Sequence, residues 1–319
     1  MSSRYCTEVT PECPVEYTTY GYYPNLGGNI FLLVVFALCF FGQIVVGWIT
    51  KVRAFTIVVA IGCGLEAIGY GGRLMMNENP WDSDGFKMQV CCLILAPSFL
   101  AAGFYLTVKH LVIYLGEESS RLAPRWYTWI FIGCDVVSII TQAAGGGIAS
   151  AATDGDNLLD VGNGLIMAGI AFQVATMATC IILTIDFAIR HGRNNRKHVQ
   201  TSGTPGAMSS TKFNFYLGCS AFGFLTIFIR CVYRLPEMAG GWGGELMRRE
   251  DEFLVLDGMM IAISAICMTV AHPGIYFPTI SSRNRPVAAE EKAEAGEKSS
   301  MSSRQGDSQG EESVMAERP

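Results

Sequence analysis

Seven long apolar runs alternate with short polar connections along the chain, at residues 28–49, 54–76, 88–114, 127–151, 161–189, 213–235 and 253–277. A helix needs about 20 residues to cross a hydrocarbon core of about 30 Å, and every run is long enough. The pattern predicts an all-α, polytopic membrane protein: a bundle of seven transmembrane helices filling residues 28–277. Residues 1–27 form a polar leading segment with no signal-peptide core, so the first span is expected to direct insertion itself. Residues 278–319 are rich in Ser, Glu and Lys and poor in large apolar side chains. Such a tail buries too little surface to offset its ordering entropy, which predicts disorder. The connection HGRNNRKHVQTSGTPGAMSS between spans five and six is expected to be flexible for the same reason.

Charge then orients the bundle. Lys51 and Arg53, Arg121 and Arg125, and the Arg190–Lys212 stretch all fall on one side. Glu8, Glu12 and Glu16, Glu78, Asp82 and Asp84, and Asp154, Asp156 and Asp160 fall on the other, while the sixth connection is mixed. Basic loops stay in the cytosol, which predicts an N-terminus outside and a C-terminus inside. The five tryptophans lie at span ends or in loops, where indole prefers the headgroup boundary.

Composition removes several function classes. Charged residues are 16% of the chain, against about 25% for a soluble domain. The net charge of −5 and the lack of a basic face argue against nucleic acid as a partner. Nine of the eleven cysteines sit in apolar runs and read as small apolar residues, and the four histidines are scattered. No metal site is expected. Cys6 and Cys13 lie in the polar leading segment, where a local disulfide and two free thiols are both open readings. There is no P-loop, no G-x-S-x-G elbow and no H-E-x-x-H helix, so no enzyme and no cofactor are expected.

Ionisable groups at membrane depth are costly unless paired or wet, and each is a functional lead. Span two carries Glu66, Tyr70 and Arg73 at i, i+4 and i+7, on one face. Span six carries Arg230 and Arg234 one turn apart, span seven carries Asp257, and span four carries Gln142 ahead of Gly145-Gly146-Gly147. Counted at 1.5 Å per residue, these groups reach a similar level in the outer half of the bundle. They predict a charge-lined cavity there, with Asp257 and Glu66 set against Arg230, Arg234 and Arg73. Two readings follow: a headgroup site for an amphipathic ligand, or an ion-pair lock between helices. Asp135 lies deeper in span four, on the face it shares with Ser138 and Gln142, with Lys109, His110 or water as expected neighbours. Asp135 and His272 are candidates for a proton relay, with a hydrogen-bonded packing role as the alternative for His272. Pro97 frees a backbone carbonyl one turn earlier in span three and is a candidate hinge.

The motifs YYPN, EAIGYGGR, LAPSFLAAGFY, DVVSIITQAAGGG, IRCVYRLPE, EDEFLVLDG and AHPG occur in order over about residues 20–280. This set resembles the fungal lipid-translocating exporter family, the RTA-like proteins named for resistance to aminocholesterol. The resemblance implies a seven-span protein linked to tolerance of toxic lipids and drugs, exporting or flipping sphingoid long-chain bases; the plasma membrane is expected, with an endomembrane or the vacuolar membrane as the alternative. Its partners would be membrane lipids and amphipathic small molecules. The family's polar motif residues fall on Glu66, Tyr70, Arg73, Asp135, Gln142, Arg230, Arg234, Glu237, Glu252, Asp257 and His272. Glu66 and Asp257 would hold an amine, and the arginines would tune them or bind a phosphorylated variant. A seven-span receptor, and a regulator of lipid asymmetry without transport of its own, are the alternatives.

Overall fold

A computed structural model describes residues 6–115, 120–121, 123–151, 157–202, 211–241 and 243–276. The expected disordered tail, Asp154, Asp156 and Trp242 lie outside the described residues.

Among the described residues, seven helices are long and apolar enough to cross a membrane. They are α1 (Leu26–Thr50), α2 (Arg53–Glu78), α3 (Ser83–Leu115), α4 (Pro124–Ala151), α5 (Leu158–Ser202), α6 (Thr211–Ala239) and α7, whose span is Glu250–Tyr276. The chain is a multi-pass membrane protein. Asn25 starts α1 by accepting the Gly28 N–H at 2.9 Å, satisfying one of the orphan donors of the first turn. Lys51, left-handed at φ 58°, ends it, and α2 begins two residues later. α7 is composite. A π-helical stretch, Phe253–Met259, separates its first turn from the α-helix Met260–Val270, and Pro273–Tyr276 adds a last turn.

One expectation needs correction. The polar stretch after Arg190 is not all loop, because α5 continues to Ser202. Its Arg, Lys, His and Gln residues are tolerable helix formers, and a helix already nucleated by the span extends through them at little cost.

Consecutive helices pack side by side, and α7 closes the bundle against α6 and α1. α3 is the most enclosed of the seven spans. Its Phe104 stacks on Phe224 of α6 at 3.9 Å between ring centroids, and Tyr105 packs against Phe131 of α4. α4 and α5 approach closely through small residues, as helices in lipid do where dispersion rather than dehydration drives contact. A Cβ on Gly145 would lie 2.7 Å from the Gly162 carbonyl oxygen, so the crossing requires glycine.

The leading segment folds across one end of the bundle. A disulfide joins Cys6 to Cys13. Trp81 Nε1 donates to the Cys13 carbonyl at 3.2 Å, and Asn79 and Asn77 donate to the Thr7 and Pro24 carbonyls at 2.8 and 2.7 Å. This N-terminal end holds the polar clusters described next. At the opposite end Arg121 and Arg190 share Asp186, at 2.9 and 3.0 Å.

Candidate functional site

The intramembrane charges separate into two clusters and a neighbouring cavity. In the first cluster, Arg73 is fully buried near the N-terminal end. Its Nε donates to Asn29 of α1 at 2.8 Å and its Nη2 to Glu250 at the start of α7 at 2.9 Å. Its guanidinium lies 4.3 Å from the centre of the Phe253 ring and 5.5 Å from that of Tyr20. Glu250 also accepts the Asn25 N–H at 2.6 Å. Arg73 therefore fastens α2 to α1 and α7 beneath the leading segment. Tyr20, in that segment, has its phenol pushed up to about 12 by burial.

The second cluster centres on Arg230 of α6. Its Nε lies 2.8 Å from Asp257 Oδ1, with side-chain exposures of 4% and 1%. Its Nη2 donates to the Leu93 carbonyl of α3 at 2.6 Å. That carbonyl lies four residues before Pro97, whose ring nitrogen has no hydrogen to give it. Arg230 thus fills the gap that proline leaves in an otherwise continuous α3. Asp257 sits in the π-helical stretch, where the widened turn redirects side chains. Glu66 is 1% exposed and within electrostatic reach of both Arg230 and Asp257, yet its Oε1 has no hydrogen-bond partner among the described residues. Tyr70 stacks on Phe36, and its hydroxyl likewise has no partner. Arg234 pairs with Glu237 at 2.9 Å.

Beside this cluster is a cavity of about 760 Å³ in the half of the bundle nearest the N-terminal end. Its walls include Phe86, Gln89, Val90 and Leu93 on α3, Ile139, Gln142 and Gly146 on α4, Leu159, Ile166 and Ile170 on α5, and Arg234 with Met238 on α6, while Thr19, Tyr20, Met247 and Phe253 cover it. The lining is mainly apolar. Polar exceptions are Lys87, Gln89, Gln142 and Arg234, with Thr19 and Tyr20 in the cover. Gln142 belongs to a hydrogen-bonded floor. Its amide donates to Ser138 at 2.9 Å and to Gln173 at 3.2 Å, and Gln173 donates to Ser98 of α3 at 2.9 Å.

The structure therefore brings Glu66, Tyr70, Arg230 and Asp257 together and sets Arg73 apart with Glu250. Gln142 and Arg234 face the cavity; the other five lie behind its wall, with Leu93 between the cavity and Arg230. Asp135 is buried below the floor, beside Tyr105. His272 sits at the far end of α7, fully buried. Its Nε2 is 3.0 Å from the Thr56 hydroxyl, and its Nδ1 accepts the Gly274 N–H at 3.1 Å. Thr56 gives its own hydrogen to the Val52 carbonyl, so Nε2 is the donor toward Thr56. Gln89, Gln173, Lys87 and Glu250 are the site residues that the sequence reading passes over. Gln173 meets the same criterion as Gln142, an amide inside an apolar run.

The family described as "RTA1 like protein" matches residues 59–280. The chain belongs to this family. The RTA1-like chain is 32% identical over 286 residues to the sphingoid long-chain base transporter RSB1 of Saccharomyces cerevisiae, covering 81% of this chain and 74% of the relative. It is 29% identical over 210 residues to the same yeast's protoporphyrin uptake protein 1, covering 66% and 65%. It is 26% identical over 213 residues to yeast protein RTA1, covering 66% and 63%. No solved structure matches the RTA1-like chain significantly.

Proposed function

We propose that this RTA1-like protein translocates sphingoid long-chain bases, or single-chain amphiphiles like them, across the plasma membrane. The leading segment is placed outside and the C-terminus in the cytosol, as the loop charges favour. The cavity carries this reading. A mainly apolar hollow of about 760 Å³ with a few polar groups suits one aliphatic chain with a small hydroxylated head. Gln89 and Gln142 supply donors and acceptors for the hydroxyls of such a head. The named function of RSB1, at 32% identity, supports the same substrate class.

In this arrangement the Arg230–Asp257 pair is the scaffold behind the wall rather than a surface that touches the ligand. Gly146 gives a direct test, because it lines the cavity and a Cβ added there meets nothing within 4 Å. Gly146→Phe should fill the hollow without disturbing the α4–α5 crossing. Purified protein in vesicles is assayed for transbilayer movement of labelled sphingosine. Wild-type movement with loss in Gly146→Phe is expected, and a variant as fast as wild type would sink the assignment.

A further inference from the structure

Asp135 is the intramembrane acid that the cavity and its scaffold do not use. It lies seven residues before Gln142 on α4, about 10 Å lower along the helix axis. Positions 135, 138 and 142 share one helix face, so Asp135 continues downward the polar stripe that floors the cavity. It is 3% exposed, and neither carboxyl oxygen has a hydrogen-bond partner among the described residues. The titratable groups facing it are Tyr105 from α3, Cys180 from α5 and Cys231 from α6. The Tyr105 hydroxyl lies against the carboxyl but outside hydrogen-bond geometry, and no described cation opposes it. An intramembrane carboxylate is stabilised by a paired cation, hydrogen-bond donors or water, and Asp135 has neither cation nor hydrogen-bond donor among the described residues.

We propose that Asp135 is an exchange site that holds either a proton or the ammonium of the amphiphile. In the state seen here, with the cavity at the N-terminal end, it holds the proton. When α4 and α5 move and expose it to the other end, the carboxylate gives up that proton and takes the ammonium. The base stays protonated throughout. One ammonium moves outward for one proton inward, and the exchange is electroneutral. α4 and α5 are suited to move as a pair, because they cross through Gly145 and Gly162, and Gln173 to Ser98 is the described floor bond that ties them to α3.

This inference rests on the proposed transport of amphipathic amines. The experiment uses full-length protein in vesicles with an entrapped pH dye and labelled sphingosine. Wild type should move the base with a matching counterflow of protons. Its apparent Kd for sphingosine should rise about tenfold for each pH unit below the titration of the site, as proton and ammonium compete. Asp135→Asn should abolish both movements yet melt at the wild-type temperature near neutral pH, because asparagine copies the neutral acid. Base movement without proton counterflow, or wild-type rates in Asp135→Asn, overturns the exchange and leaves the transport reading standing. Wild type that moves no base overturns the transport reading and the exchange together.

Discussion

Replacing Arg230 with methionine keeps much of the side chain's length and removes its charge. Two groups lose their partner at once. Asp257, 1% exposed, loses its cation, and breaking such a buried pair costs about 3–5 kcal/mol. The Leu93 carbonyl, already denied the Pro97 nitrogen, loses the Nη2 donor at 2.6 Å, which adds about 1–3 kcal/mol. Asp257→Asn should be milder, because Arg230 keeps Leu93 and has Glu66 within electrostatic reach as a substitute acid. Arg230→Met with Asp257→Leu removes both charges and should recover most of the loss, leaving about 1–3 kcal/mol for the orphaned carbonyl. Adding Pro97→Ala supplies the missing N–H and should recover about 1 kcal/mol of that remainder. The assay is thermal unfolding in detergent with a thiol-reactive dye, since Cys39, Cys63, Cys180 and Cys231 are buried and free. The expected order of melting temperature is wild type, then Asp257→Asn, then Arg230→Met. If Arg230→Met melts no lower than Asp257→Asn, or Pro97→Ala gives no recovery, the linkage of α3, α6 and α7 through Arg230 is wrong.

Two further outcomes follow from the packing. Gly162→Leu should cost at least about 3 kcal/mol and lower the amount of folded protein, because its Cβ would fall 2.7 Å from the Ala149 nitrogen with backbone on the facing side. Western blotting and melting curves check this, and a variant as stable as wild type would refute the close crossing. Tyr20 titrates at about 12 in the folded protein against about 10 when exposed. Its contribution is therefore whole below pH 10 and is lost as pH rises toward 12. Tyr20→Phe should flatten the alkaline fall in melting temperature over that window.

The seven spans are legible in the sequence because hydropathy over about 20 residues is a strong, local signal. The membership of the Arg230, Asp257 and Glu66 cluster is legible too, since depth follows from residue count along a straight helix. Rotation about the helix axis is not set by depth, and that is where the sequence reading and the structure diverge. Glu66 and Asp257 reach the right level but point behind the cavity wall, while Arg73 turns toward Glu250, a residue the sequence places in a mixed loop. The π-helical stretch at Phe253–Met259 also escapes the pattern, because it shifts the facing of Asp257 without changing the composition of the span. Gln89 stands alone near the start of α3, where a single amide is too weak a signal to mark a cavity wall.

The three consecutive glycines of α4 are under two unlike constraints. Gly145 is fixed by the backbone it presses against, whereas Gly146 borders empty space. A change at Gly145 would be purged as an assembly defect. A change at Gly146 would pass folding and alter only what fits. Substitution at this one codon reshapes the hollow, with the crossing beside it left untouched.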